Sequence, residues 1–150
     1  MSISLYFEAK RPRPLSPDER GRLAAILAAC DRTAEAELHA QTGRGLNWEP
    51  LSFYPDDPAR PERILDGAIK LPDNRAFAVH SGARHWADTL ARIRREVAPD
   101  AAWSAQIDDS ELRWSADKGW HDQASDGFAA LWLGCLVSAP FRWRAARRDR

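Results

Sequence analysis

Apolar residues recur at helical spacing in two stretches of the chain. Leu23, Ile26, Leu27 and Cys30 stand at i, i+3, i+4 and i+7, and Trp86, Leu90, Ile93 and Val97 at i, i+4, i+7 and i+11. Each set forms a one-sided stripe, the mark of a helix that lays one face on a core. A shift of 63 residues sets Leu23, Leu27, Cys30 and Ala34 against Trp86, Leu90, Ile93 and Val97. Strand-like sequence follows both stripes. Before the first, Ile3, Leu5 and Phe7 fall on one side of residues 3–8, the two-residue period of a half-buried strand.

Local signals place the boundaries. Arg11-Pro-Arg-Pro ends the first strand, because proline removes a ladder donor. Ser16, Pro17 and Glu19 open the first helix: a side-chain cap, a proline at the first helical position and a carboxylate that completes a capping box. That helix runs to about residue 31, with residues 32–40 extending it. Residues 46–54 have strand character broken at Pro50, which predicts an edge strand or a bulge. Residues 55–62 hold three prolines and two aspartates and read as an exposed connection. Residues 63–71 read as a strand weakened at its centre by Gly67, and Pro72-Asp-Asn as a turn. Residues 76–80 read as a short strand, with Ser81 capping a second helix that ends before Pro99. Trp103, Ala105 and Ile107 alternate in the next strand. Asp108-Asp109-Ser110 turns the chain, Leu112 and Trp114 return as its hairpin partner, and residues 117–119 turn it again. Residues 128–137 are apolar throughout, and periodicity alone leaves a buried strand and a short buried helix both open. The expected fold is a single α+β domain over residues 1–150. It has two layers, a mixed or antiparallel sheet with two main helices on one face, and the repeat allows a duplicated β-α-β-β arrangement.

Composition narrows the classes. A 150-residue chain that is 44% apolar buries enough surface to fold without a metal or a disulfide. Basic and acidic residues balance at 22 each, so no whole-domain basic face speaks for nucleic acid. Residues 141–150 are the exception, a tail with five arginines and one aspartate. Such an end is ordinarily solvated, although removing it would test any contact with phosphate. Cys30 and Cys135 both fall in apolar surroundings and read as small core residues. The N-terminus reaches Glu8 and Lys10 without a long apolar region, and no apolar run is long enough to span a bilayer. The expectation is a cytoplasmic protein with no membrane partner. Seven tryptophans are more than such a core ordinarily needs, which leaves one or two to line an interface.

No motif names a reaction. His80 and His85 are five apart across an expected helix start, unlike metal ligands that share a helix face at i, i+4. His121 neighbours Asp122, but strand neighbours point to opposite faces, so the carboxylate would not orient the imidazole. The carboxylates Asp56 and Asp57, and Asp108, Asp109 and Glu111, lie in expected loops without the spacing of a calcium loop. Ser81-Gly82 is too little for an anion-binding helix start. No phosphate loop, dinucleotide fingerprint or nucleophile elbow occurs, and neither a cofactor nor a metal is expected.

Two function classes follow. The first is a non-enzymatic protein-binding domain, of the type represented by immunity and antitoxin inhibitors. Its contact surface would hold Trp114 and Trp120 beside Asp108, Asp109 and Glu111. The second is an enzyme, or a domain binding a small molecule or metal, whose pocket gathers the scattered His80, His85 and His121 with acidic residues.

Overall fold

The computed structural model describes residues 3–42, 49–72 and 76–122. Its elements are β1 (Ser4–Lys10), α1 (Pro17–Thr42), β2 (Ser52–Phe53), β3 (Arg63–Lys70), α2 (Ala76–Glu96), β4 (Ala102–Ile107), β5 (Ser110–Ser115) and β6 (Gly119–Asp122). The strands make one six-stranded sheet in the order β2-β3-β1-β4-β5-β6. Every pairing is antiparallel, with Phe7 opposite Gly67 on one side and Ala105 on the other.

Alternation along the strands assigns the two faces. Leu5, Phe7 and Ala9 of β1 point inward with Leu65 and Ile69 of β3, Ala105 of β4, Leu112 of β5 and Trp120 of β6. There they meet Ile26 of α1 and Trp86, Leu90, Ile93 and Val97 of α2, so both helical stripes cover the same face of the sheet. Tyr6, Glu8, Lys10 and Asp66 stand on the opposite face, where charged side chains pair with one another: Arg63 lies 3.0 Å from Glu8 and also contacts Asp66. A sheet covered on one side and polar on the other is the usual antiparallel solution.

The expected α+β layering is therefore present, with one correction. Residues 76–80 are not a strand but the opening turns of α2. The helical stripe reaches back through Ala83 to Val79, both buried, and this longer period outweighs a short apolar run. Ser81 accordingly lies inside α2 and does not cap it. The described residues run β-α-β-β and then α-β-β-β, so the second half has no opening strand of its own. Residues 128–137, the arginine-rich tail and Cys135 lie outside the described residues, as do Trp48, Trp132 and Trp143.

Gly67 is where neighbouring strands approach closely. A Cβ built there would stand 2.2 Å from the Ser52 carbonyl oxygen and 2.8 Å from Cζ of Phe7. The absent side chain lets β2 lie against β3 while the Phe7 ring fills the space beneath. Gly67→Ala is therefore expected to push β2 outward and cost roughly 1–3 kcal/mol, the range for an overpacked site. Urea unfolding measures the loss. The Tyr54 amide, which donates to the Asp66 carbonyl at 2.9 Å, should also exchange faster in the variant. Unchanged stability and exchange would contradict this account of the glycine.

Candidate functional site

A cleft of about 500 Å³ opens between the start of α1 and the connection that joins β2 to β3. One wall is residues 14–23, with Pro14, Leu15, Arg20 and Leu23; the other is residues 53–66, with Phe53, Tyr54 and three prolines. Each wall is held by its own device.

The first wall is fixed by Arg11, a buried guanidinium just after β1. All five of its N–H donors are used. Nη1 and Nη2 reach Glu19 at 3.1 and 2.6 Å, and Nη1 also reaches Asp100 at 2.8 Å. Nε and Nη2 donate to the carbonyls of Arg13 and Pro14 at 3.0 and 3.2 Å. The bend of residues 11–14 is thus tied from inside, and Arg13 adds contacts to Glu19 and Asp100. Glu19 also closes the expected capping box: the Ser16 amide donates to Oε2 at 2.8 Å, and the Glu19 amide donates to the Ser16 hydroxyl at 3.2 Å. One carboxylate therefore starts α1 and neutralises the buried arginine.

The Arg11 guanidinium, then the Ser16 amide, pull the Glu19 carboxyl from an ordinary 4.5 down to about 2. Asp100 is lowered as well, chiefly by its hydrogen bond from Arg11. A carboxyl more acidic in the folded chain binds fewer protons there than in the unfolded chain. Its stabilisation is complete above the unfolded value and drains as pH falls through the folded one. The chain should therefore lose stability between about pH 4.5 and 2, and Glu19→Gln should flatten that slope. A wild-type unfolding free energy that stays level across this window would contradict the assignment.

The second wall is held by the sheet edge and its own turns. The Phe53 ring packs edge-on against Phe7, with centroids 5.8 Å apart. Asp57 accepts from the Ala59 amide at 2.9 Å, and the Arg60 and Arg63 amides donate to the Asp57 and Arg60 carbonyls, each at 2.9 Å. Prolines at 55, 58 and 61 restrict the remaining backbone freedom. Phe53 and Tyr54 stay 36% and 48% exposed at the mouth, large aromatic surface that the fold leaves facing solvent. The sequence predicts only an exposed connection over residues 55–62; the dense Phe-Tyr-Pro-Asp-Asp-Pro run is the signal that points to more.

The residues nominated from sequence are distributed differently. Trp114 and Trp120 do come together, with ring centroids 5.4 Å apart, on the helix-covered side of β5 and β6. Trp120 is 5% exposed and belongs to the core, while Trp114 is half-buried. The side chains beside them are basic: the guanidinium of Arg94 lies 4.3 Å from the Trp114 ring centre, and that of Arg95 lies 5.0 Å away. Asp108 and Asp109 form the β4–β5 turn at the other end of β5. Asp108 takes a left-handed conformation at φ 46° and accepts from the Ser4 amide at 2.9 Å, a structural duty for its carboxylate. Glu111 pairs in register with Gln106 on the open face, opposite to Trp114. The two tryptophans and the three acids thus do not form one patch.

The histidines are also apart. His80 and His85 lie on α2, whereas His121 pairs with Arg113 on the sheet face turned away from the helices. His121 uses Nδ1 at 3.1 Å from the Gly119 carbonyl. Burial, with the Arg84 charge, lowers the His80 pKa. His85 lines a smaller hollow of about 250 Å³ with Cys30, Asp88, Thr89 and Arg92, where Thr89 donates to the Cys30 sulfur at 3.3 Å. Cys30 is half-exposed and packs at the margin of the core. Among the described residues no group of three histidine, cysteine or acidic side chains gathers that could hold a metal ion, and no helix is long and apolar enough to cross a membrane.

Comparison with known proteins adds no family: no family model matches the chain, and neither a curated protein nor a solved structure matches it.

Proposed function

We propose that this chain is a small cytoplasmic protein-binding domain that works without catalysis, the type to which immunity and antitoxin inhibitors belong. The partner is a protein, seated in the cleft between α1 and residues 53–66. The carrying observation is the pair of exposed aromatics, Phe53 and Tyr54, at the mouth of that preformed cleft. Tyrosine and arginine are enriched among the side chains that dominate binding energy, and Arg20 and Arg60 flank the same opening. An apolar floor with charges of both signs on the rim is the usual anatomy of a non-obligate interface. Walls fixed by Arg11, by turns and by prolines reduce the ordering entropy that association would otherwise cost.

Paired affinity captures from the source cells test this reading. A protein retained stoichiometrically by the wild type should fall by at least about tenfold, or roughly 1.4 kcal/mol, with Tyr54→Asp. Ser104→Asp, on the open face of β4, should retain it. Equal retention by Tyr54→Asp, with its fold verified by circular dichroism, would overturn the cleft as the binding surface.

A further inference from the structure

At the opposite edge of the sheet, a second arrangement has no role in the cleft. Arg94 and Arg95, in the last turn of α2, hold their guanidiniums over the Trp114 indole at 4.3 and 5.0 Å, and Arg94 also lies 5.3 Å from the Trp120 ring centre. Two like charges thus lie within 5.0 Å of one indole centre. Arg95 is anchored, donating to the Ala116 carbonyl at 3.1 Å. Arg94 is half-buried, and its ring contacts are its only interactions with described residues; no hydrogen bond or ion pair engages its fork.

Among the described side chains, two carboxylates close in sequence to this edge are engaged. Glu96 pairs with Arg92 at 2.8 Å. The Asp117 carboxyl is held low by its hydrogen bonds, first from the Ser115 side chain and then from the backbone. Burial pushes the Arg94 pKa below its ordinary value. A helix C-terminus attracts cations, which accounts for arginines in this turn, but it does not occupy the donors of a guanidinium held 4.3 Å from an indole centre. Contact with both indoles restrains that side chain, so less freedom remains to be lost when an anion meets it.

From this geometry we propose that Arg94 and Arg95, set over Trp114, form an oxyanion-binding shelf. The ligand presents two oxygens at the spacing of a carboxylate or a phosphate group. Arg94 takes them through paired N–H donors, and Arg95 contributes charge from its anchored position. The site stands on observations independent of the cleft.

The test uses the full chain labelled with 5-fluorotryptophan, with the Trp114 fluorine resonance assigned by its loss in Trp114→Phe. Inorganic phosphate and N-acetylglutamate are titrated separately at constant ionic strength. The shelf predicts a saturable displacement of the Trp114 resonance in the millimolar range or tighter. Arg94→Gln should weaken it by roughly tenfold or more, and Arg94→Lys, which keeps the charge but not the fork, should weaken it less. Response to phosphate alone assigns a phosphate-bearing ligand, response to N-acetylglutamate alone a carboxylate, and response to both a general oxyanion site. No saturable displacement with either probe, or one that persists unchanged in Arg94→Gln, overturns the proposal.

Discussion

Arg11→Ala is expected to lower the unfolding free energy by about 3–5 kcal/mol, the range for removing one partner of a buried ion pair. The reason lies in what the substitution leaves behind. Glu19 is 5% exposed, and its carboxylate would lose both of its short contacts to Arg11 while staying out of water. The carbonyls of Arg13 and Pro14 would lose their donors in the same change. At this chain length the melting temperature should fall by roughly 10 °C. Arg11→Lys keeps a charge but cannot supply five donors in a fork, so its loss should be intermediate. Urea denaturation of the three proteins at neutral pH measures the series. An alanine variant within about 1 kcal/mol of wild type would mean that the network is not a stabilising node. Because residues 14–23 form one wall of the cleft, the same variant should loosen that wall and weaken partner binding as well.

Trp86→Ala should be comparably severe, at about 3–5 kcal/mol. The indole is fully buried in the middle of α2, part of the helical stripe that meets the inward residues of the sheet. Truncation would leave a cavity that the rigid sheet cannot collapse into. Trp114→Ala should cost less, about 1–2 kcal/mol, because the ring is half-buried and its loss removes one aromatic contact and two cation–π contacts. The difference between these variants separates tryptophans that make the core from those at its margin. Trp120, at 5% exposed, belongs with Trp86, and Trp120→Ala is expected to be a stability variant first.

The contrast among tryptophans also shows what sequence could and could not disclose. Wherever a short-range pattern carries its own physical reason, the fold was legible. The Ser16–Glu19 box, the alternation of β1, the Asp108-Asp109 turn and the edge position of a proline-broken strand all follow from neighbours in the chain. Residues 76–80 are ambiguous because a short apolar run satisfies a strand and the beginning of an amphipathic helix alike. Only the buried contacts of Val79 and Ala83 decide between them. The candidate site was far less legible. Arg11 sits between a strand and two prolines and reads as loop; nothing local announces that Glu19 and Asp100 will converge on it. Phe53 and Tyr54 form a cleft mouth only because β2 pairs with β3 and folds the proline-rich connection towards α1. Trp114 and Glu111 are three apart and therefore on opposite faces once β5 forms, which separates aromatic and acidic residues that lie close in sequence.

The cleft is the central claim, and site-specific photocrosslinking from position 54 tests it most directly. A benzophenone side chain replaces Tyr54 in one sample and Ser104, on the open sheet face, in another, and both are irradiated in lysate of the source cells. The account predicts one dominant protein adduct from position 54 that is weak or absent from position 104. Adducts of equal strength from both positions, or a specific adduct from position 104 alone, would contradict it.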